Sequence, residues 1–314
     1  MVAELTEFYN DLNLAKLRIE RPTKFIFFCG GTIRSGNSNG ANSLRDYLYR
    51  VRSCSKRLHG EIVLAEAANE LYRDTRYGDL ISFEEDIARI AAVVLVIAES
   101  PGSLAELGAF ASNETIRRAL RVILQTSNWN KESFIRYGPV ERIRNDNSEH
   151  IGVYPWRTNA AGNLIVRSAR PHHSEIIKFL NQHLDATSKT EIFPAGDDLQ
   201  MFFVTYWVIY LSYAISSATL YDLIRMLIPA ATNNDIRNKV FCMQLAGWVA
   251  VERYSGKDYF YCCQDRDAFH YAYHDHVTAR DSNRRKLAIS TAIRQKERTP
   301  RHVTSVAAAK RVPE

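Results

Sequence analysis

The sequence predicts an α/β protein, a doubly wound parallel sheet followed by a mainly helical winged-helix domain. Short apolar runs alternate with helical segments over the first half of the chain, which is typical of parallel strands joined by helices. The pattern breaks at residues 184–198, "LDATSKTEIFPAGDD", where Thr, Ser, Pro and Gly mark a boundary. With 314 residues, 46% of them apolar, the chain can bury two cores.

We therefore expect domains at residues 1–190 and 198–279, followed by a basic tail at residues 280–314. The tail carries ten Lys or Arg against three Asp or Glu, and the whole chain has a net charge of +6. Such a tail is either a solvated, poorly ordered end or a segment that favours an acidic partner, usually nucleic acid.

Cysteine usage and the N-terminus point to the cytoplasm. The five cysteines are widely spread and include no C-x-x-C pair, which favours reduced thiols over disulfides or a zinc site. The N-terminal residues contain no apolar core of signal-peptide length. We expect a cytoplasmic protein without a resident metal or cofactor.

The elements of the first domain follow from its apolar runs. "FIFFC" predicts a buried strand at residues 25–29, followed by a Gly/Ser/Asn-rich loop and a helix. "EIVLAEA" predicts a second strand. "SFEEDIARIAAVVLVIAE" predicts a helix capped by Ser82 and then a strand at residues 93–97. A further helix carries "ELGAFASNETIRRAL" and leads to the strand "RVILQTS".

Two loops leave the carboxyl ends of these strands, at residues 30–40 and 100–103. Ligands of doubly wound sheets bind at that edge, so both loops should face one crevice. Their glycines would let the backbone approach a ribose or phosphate, although a flexible turn explains the same composition. The candidate substrate-binding residues are Gly30, Gly31, Thr32, Arg34, Ser100, Gly102 and Ser103.

The segment "SPGSLAELGAF" places Glu106 in the first turns of a helix that begins at this edge. One interpretation is structural, because Ser103 and Glu106 have the spacing of an S-x-x-E capping box. The other is catalytic, because a carboxylate there can reach a sugar carbon and stabilise or trap an oxocarbenium-like centre. Glycosidic cleavage with a poor leaving group also needs an acid.

"IARIAAVVLVIAESPGSLAELGAF" resembles the nucleoside deoxyribosyltransferase family and, less closely, the "Lonely Guy" phosphoribohydrolases. Both families cleave N-glycosidic bonds. The resemblance implies that Glu106 is the nucleophile on the anomeric carbon. Asp86 and Glu99 are the nearest counterparts of the family's other acidic residues, and Asp86 is our candidate for the second catalytic carboxylate. Ala92 stands where an Asp is often found. Sites completed across subunits in related transferases imply a homo-oligomer.

The second domain begins with an uncharged stretch, residues 199–221, long enough to consider a membrane span. Its tyrosines and hydroxyl side chains favour a buried helix. Helix, turn, helix and a hairpin at Ser255-Gly256-Lys257 then follow, the order of a winged helix. Such a module binds nucleic acid or docks a protein. The predicted nucleic-acid contacts are Arg237, Asn238, Lys239, Arg253 and Lys257.

"HYAYHDH" places His270 and His274 one helical turn apart. No third ligand stands at a recognised spacing, so surface histidines are the preferred interpretation over a metal site.

The two halves together look like the effector of a retron, an antiphage system in which a reverse transcriptase makes a branched RNA–DNA hybrid. That resemblance implies a toxin held inactive by the reverse transcriptase and its hybrid. We expect hydrolysis of a nucleotide-like metabolite, preferably NAD, whose cationic nicotinamide needs no acid to leave. Two alternatives are a nucleotide-sensing winged-helix DNA-binding regulator and a non-catalytic subunit of the retron complex.

Overall fold

A computed structural model describes residues 3–34, 40–51, 56–67 and 77–312. Residues 35–39 of the predicted Gly-rich loop lie outside these described residues. The chain forms two compact units. The sheet unit contains the described residues from Lys24 to Thr187, except residues 77–78. The terminal unit combines residues 3–23 and 77–78 with those from Ser188 onwards.

Both units contain strands and helices. The strands are β1 (Arg18–Ile19), β2 (Phe25–Cys29), β3 (Glu61–Leu64), β4 (Val93–Ala98), β5 (Leu120–Gln125), β6 (Ile151–Tyr154), β7 (Glu191–Ile192), β8 (Ile215–Ser216), β9 (Val249–Tyr254), β10 (Lys257–Cys262) and β11 (Phe269–His270). The α-helices are α1 (Ala3–Asp11), α2 (Leu44–Arg50), α3 (Leu80–Ile90), α4 (Pro101–Ser112), α5 (Glu114–Ala119), α6 (Thr126–Trp129), α7 (Glu141–Asp146), α8 (Val166–Ala169), α9 (His173–Ala186), α10 (Asp198–Ser212), α11 (Ser217–Leu227), α12 (Asn233–Leu245), α13 (Ser282–Lys296) and α14 (Arg301–Lys310). A π-helical turn occupies Arg136–Val140.

The sheet unit is built on five parallel strands in the order β3-β2-β4-β5-β6. Every side chain of β2 and β4 is buried, as continuous apolar runs require in a sheet covered on both faces. The strand order reverses between β2 and β4, and such a switch point opens a crevice at the carboxyl ends of the strands. The predicted parallel α/β sheet is confirmed.

Helices pack on both faces of this sheet. On one face, Ile26, Phe28 and Leu95 form a core with side chains of α2 and α9. On the other face, the Phe27 ring meets the Phe83 ring of α3 with centroids 6.4 Å apart, and α4 packs on β4.

Helix α3 begins earlier than the sequence indicated. Asp79 is its N-cap and accepts a hydrogen bond from the Ser82 backbone N–H. The prediction that Ser82 caps this helix is therefore wrong. An aspartate carboxylate is as good an N-cap as a serine hydroxyl, and Leu80 and Ile81 extend the helix by most of a turn.

In the terminal unit, α10 occupies the core, and its residues from Phe202 to Ile209 are all buried. The helix ends at Tyr213, whose φ of 65° breaks the uncharged stretch before β8 and α11. The predicted buried helix is confirmed. Across the part of the chain that the structure describes, no helix is both long and apolar enough to cross a bilayer.

Helices α11 and α12 are followed by the hairpin β9–β10, and β8 pairs with β10 to complete a three-stranded antiparallel sheet. The hairpin turns at Ser255 and Gly256, with φ values of 50° and 76°. Positive φ at both central residues matches the right-handed twist of the two strands, so the turn lies where the sequence placed it.

Both ends of the chain belong to the terminal unit. The Phe8 ring of α1, predicted within the first domain, stacks on Tyr271 with centroids 5.2 Å apart. Residues 280–314, predicted as a tail, contain α13 and α14. Helix α13 buries Ile289 and Ile293, and α14 packs against the hairpin β9–β10. These helices correct the interpretation of a poorly ordered end, since each buries an apolar stripe.

We predict that Ile293→Ala destabilises the terminal unit by about 2–4 kcal/mol, because it leaves a cavity in a packed core. Ile293 is 2% exposed, whereas Leu287 on the same helix is 70% exposed. Leu287→Ala is the matched control and should change the free energy of unfolding by less than about 0.5 kcal/mol. Urea denaturation measures both. Equal effects of the two substitutions would contradict the packing of α13.

Candidate functional site

The candidate site lies at the switch point of the sheet, where the chain leaves β2 and β4. Both predicted loops begin there, the first at Gly30 directly after β2 and the second at Ser100, two residues after the end of β4. Helix α4 starts directly after β4 and carries Glu106 in its second turn. The expected convergence of the two loops at one edge follows from the pairing of β2 with β4.

The cap of α4 involves Ser100 and Ser103. Ser100 is the N-cap and accepts from the Ser103 N–H at 3.2 Å, while the Ser103 hydroxyl accepts from the Ser100 N–H at 2.9 Å. Ser103 also accepts from the Glu99 N–H at 3.1 Å. The capping box predicted between Ser103 and Glu106 is wrong. Pro101 at the first helical position is the sequence signal for this earlier start.

Glu106 is therefore not needed to cap the helix. Its side chain is half-buried, and its Oε2 is fully buried with no hydrogen-bond partner among the described residues. Burial raises the pKa of Glu106, and the charge on Glu66 adds to this, while Arg45 opposes it. An uncompensated carboxyl group in a crevice costs stability, and perturbed groups of this kind are characteristic of functional sites.

A second carboxyl group, Glu84 of α3, belongs to the same site. Burial raises its pKa to about 7, and the charge on Glu106 contributes to the shift. Both carboxylates also act on the buried Cys29 thiol at the end of β2, whose pKa is raised first by burial and then by their charges. Glu84 and Glu106 thus form a carboxyl pair in which the charge on Glu106 helps to raise the pKa of Glu84.

The sequence reasoning missed Glu84 and chose Asp86. Asp86 is 7% exposed on α3. Two helix positions turn by about 200°, so Asp86 and Glu84 lie on different faces of α3. The described charges that shift the pKa of Glu106 are Arg45 and Glu66. Asp86 as a catalytic acid stays a prediction, and Glu84 is a carboxyl group whose pKa the charge on Glu106 helps to raise.

Glu99 has a structural position at the end of β4. Its Oε1 accepts from the backbone N–H groups of Gly31 at 3.2 Å and Arg45 at 3.0 Å, and its Oε2 accepts from that of Leu44 at 2.7 Å. Burial raises the pKa of Glu99, although these three N–H groups favour its charged form. The carboxylate fastens the Gly30-Gly31 turn and the start of α2 to β4.

Arg45 is the buried cation of the site, with a side chain 1% exposed. Its guanidinium forms a fork with both carboxylate oxygens of Glu66 and donates to the Gly31 carbonyl at 3.3 Å. It also lies over the Phe28 ring, 5.6 Å from the centroid. Arg45 is thus paired with Glu66, and its charge also opposes the rise in the pKa of Glu106.

The two glycines of the first loop are required by packing. A Cβ on Gly31 would lie 2.6 Å from Ser43 Cβ, and one on Gly30 would lie 2.8 Å from Arg45 Cδ. Thr32 and Arg34 follow and are exposed. In the second loop, Gly102 is exposed at the start of α4. Contact of these residues with a sugar or phosphate stays a prediction.

The predicted nucleic-acid contacts divide into two groups. Asn238 and Lys239 are 9% and 8% exposed, and Lys239 Nζ lies 5.0 Å from the centre of the Phe202 ring. Arg237, Arg253 and Lys257 are exposed on α12 and the hairpin. The three exposed cations are therefore the members of the set that can reach a polyanion.

The histidines of "HYAYHDH" have partners other than a metal. His270 Nε2 lies 3.1 Å from the buried Glu20 carboxylate, across the pairing of β1 with β11. The His274 and His276 rings stack with centroids 5.5 Å apart. The described residues contain no group of three or more His, Cys, Asp or Glu that could hold a metal ion.

Comparison with known proteins identifies the family. Residues 41–251 match the family described as STM3845 retron effector protein, which covers more than half of the chain. The chain belongs to this retron effector family.

Two curated relatives from Escherichia coli carry related names. "Retron Ec86 putative ribosyltransferase/DNA-binding protein" is 34% identical over 130 residues, which cover 40% of this effector and 39% of the relative. "Retron Ec73 putative ribosyltransferase/DNA-binding protein" is 28% identical over 121 residues, which cover 38% of each chain. The effector thus spans about two fifths of the length of each relative that it matches.

We predict that Gly31→Ala destabilises the effector by about 1–3 kcal/mol, the usual cost of overpacking a tight site. Gly102→Ala is the matched control, because the nearest atom to its added Cβ is Ser100 Oγ at 4.0 Å. That substitution should be neutral or slightly stabilising. Chemical denaturation compares the two. An unaltered stability of the Gly31 variant would refute the close approach of the loop to α2.

We also predict that Glu106→Gln lowers the pKa of Glu84 below about 7. The reason is that the substitution removes a negative charge that favours the protonated form of Glu84. Carboxyl 13C NMR titration of the effector measures the shift. Glu114→Gln, on the exposed face of α5, is the control and should leave the Glu84 titration unchanged. A Glu84 pKa that does not respond to Glu106→Gln would show that the pair is not coupled.

Proposed function

We propose that the sheet unit of this retron effector cleaves the N-glycosidic bond of a nucleotide-like metabolite. NAD is the preferred substrate. The observation that carries the proposal is the buried, unpartnered carboxyl oxygen of Glu106 at the switch point, in a helix already capped by Ser100 and Ser103. A group held there at a cost in stability, facing the edge where sheet ligands bind, is suited to chemistry on a bound sugar.

In the proposed reaction, Glu106 attacks or stabilises the anomeric carbon as the bond from that carbon to nitrogen breaks. The bonding electron pair leaves with nicotinamide, which departs as a neutral base. Where Glu106 has attacked, water then displaces it: the oxygen of water bonds to the anomeric carbon, the bond from that carbon to Glu106 breaks, and the electron pair returns to the carboxylate. Where Glu106 only stabilises the oxocarbenium ion, water adds to that ion directly, and in both cases the proton released by water passes to a carboxylate. Glu84, with a pKa of about 7, is present in both protonation states near neutral pH and can accept that proton.

The carboxyl groups of Glu84 and Glu106 support the choice of a substrate with a cationic pyridinium. Arg45 is paired with Glu66, so in this proposal the charged forms of Glu84 and Glu106 act on the reacting bond. Negative charge stabilises both the pyridinium of the bound substrate and the developing oxocarbenium ion. A neutral nucleoside base would instead need the protonated form of Glu84 as an acid. The related names that mention ribosyl transfer are in keeping with chemistry at an anomeric carbon.

The terminal unit supplies the proposed contact with the retron complex. The order of α11, α12 and the hairpin β9–β10 supports a winged-helix interpretation. Its exposed Arg237, Arg253 and Lys257 would contact the branched RNA–DNA hybrid through phosphates. In this proposal the reverse transcriptase and the hybrid hold the toxic activity in check, and the effector self-associates.

Nicotinamide release by the purified effector tests the proposal. Wild type should convert NAD to nicotinamide and ADP-ribose, alone or after separation from the reverse transcriptase and hybrid. Glu106→Gln should lower the rate to background, because an amide cannot serve as a carboxylate nucleophile. Glu114→Gln, which alters an exposed carboxylate of an ion pair with Arg118, should retain activity. Failure to consume NAD or any compound in a nucleoside and nucleotide panel would overturn the enzymatic proposal.

Glu84→Gln separates the two kinds of leaving group. Hydrolysis of a neutral nucleoside, if measurable, should fall by about 10²–10⁴-fold, because general-acid help is lost, whereas hydrolysis of NAD should fall less. The wild-type rate with the neutral nucleoside should also decline above about pH 7, as Glu84 loses its proton. Equal losses for both substrates would argue against Glu84 as the acid.

A further inference from the structure

A separate cavity of about 190 Å³ lies in the sheet unit, between α4 and the segment that follows β5. Its floor is apolar and consists of Leu104, Leu124 and Val140. Leu104 and Glu106 are two positions apart on α4, so their side chains point about 200° apart around the helix axis. The cavity therefore opens on the opposite side of α4 from the carboxyl pair, and its occupancy does not depend on the proposed glycosidic cleavage.

Trp129 forms a wall of this cavity, and Arg136 and Lys131 supply positive charge. The Arg136 guanidinium lies 5.1 Å from the centroid of the Trp129 ring and 5.3 Å from that of Tyr137. Aromatic rings attract a guanidinium through their faces and leave its N–H donors free in its own plane. Among the described residues, no carboxylate or carbonyl accepts from the Arg136 side chain.

An aromatic wall, an apolar floor and an unneutralised guanidinium together match a planar aromatic group that carries an anion. The volume is below the roughly 300–1,000 Å³ of pockets that enclose a whole ligand, so it suits one base with its phosphate outside. We infer that the cavity binds a nucleoside monophosphate unit, its base stacked against Trp129 and its phosphate held by Arg136 and Lys131. Base stacking on aromatic side chains next to cationic groups is how proteins hold nucleotides without sequence readout.

The unit can come from a free nucleotide or from one nucleotide of a single strand. Both present the same base and phosphate to Trp129 and Arg136. The position of the cavity at the carboxyl end of β5, where sheet ligands bind, is compatible with either source.

Tryptophan fluorescence provides a local readout. Of the four tryptophans in the sequence, Trp156, Trp207 and Trp248 are 3%, 0% and 0% exposed, whereas Trp129 is partly exposed. Titration of the full-length Glu106→Gln protein with dAMP should quench this fluorescence saturably. The Glu106 substitution prevents turnover of the probe. Adding Trp129→Phe should abolish the signal.

Adding Arg136→Gln should weaken dAMP binding at least tenfold, because the phosphate loses its paired donors. Arg142→Gln is the matched control, since Arg142 is exposed on α7 outside the cavity, and it should leave the affinity unchanged. Deoxyadenosine lacks the phosphate. It should bind weakly, and with the same affinity, to the Glu106→Gln parent and to the Arg136→Gln variant of that parent. If the Arg136 variant does not fold, Lys131→Gln replaces it as the test, because Lys131 is exposed. We then expect Lys131→Gln to lower the dAMP affinity several-fold.

A deoxyadenosine octamer distinguishes the sources. An octamer that binds far more tightly than dAMP, with the gain lost in Arg136→Gln, identifies a strand as the ligand, and equal affinities identify a free nucleotide. Absence of Trp129 quenching by both probes would overturn the inference. The inference would also be overturned if dAMP bound the parent protein and the folded Arg136→Gln variant with equal affinity. If the Arg136 variant does not fold, equal dAMP affinities of the parent and Lys131→Gln would overturn it.

Discussion

The crevice of the sheet unit depends on one carboxylate, that of Glu99. It accepts hydrogen bonds from the backbone N–H groups of Gly31, Leu44 and Arg45. These bonds join the ends of β2 and β4 to the first turn of α2. Hydrogen bonds from N–H groups to a carboxylate are the strong members of their class. They explain why an acidic group is stable in a place where burial raises its pKa.

The same interaction determines what the neighbouring residues can do. Because α2 is held against β4, the Arg45 side chain lies at the sheet edge. There both terminal nitrogens of its guanidinium donate to the two carboxylate oxygens of Glu66. Arg45 is paired with Glu66 and also opposes the rise in the pKa of Glu106. The electrostatic character of the crevice is thus a consequence of how the loop after β2 is held.

The division of the chain into two units gives this retron effector two different surfaces. The sheet unit has the carboxyl groups of Glu84 and Glu106 at its switch point and a separate cavity beside α4 that is lined by Lys131 and Arg136. The terminal unit unites both ends of the chain, and its exposed cations lie on α12 and the hairpin. The proposed reaction on a small molecule and the proposed contact with the hybrid therefore lie in different units.

The sequence by itself determined four of the five strands of the parallel sheet, β2 to β5, together with the buried helix α10, the hairpin turn and the position of Glu106 in a helix, because each depends on a local pattern. Continuous apolar runs predict buried parallel strands, and Ser-Gly at a hairpin predicts its turn.

Tertiary structure decided the rest. Whether Ser103 pairs with Ser100 or Glu106 depended on where α4 begins, which Pro101 signals only weakly. The rotation of α3 against the sheet brings Glu84 within reach of the Glu106 charge. Asn238 and Lys239 are buried because α12 packs against α10. The N-terminal helix joined the distant terminal unit through contacts such as Phe8 with Tyr271. Such contacts join residues far apart in the chain, so no local spacing encodes them.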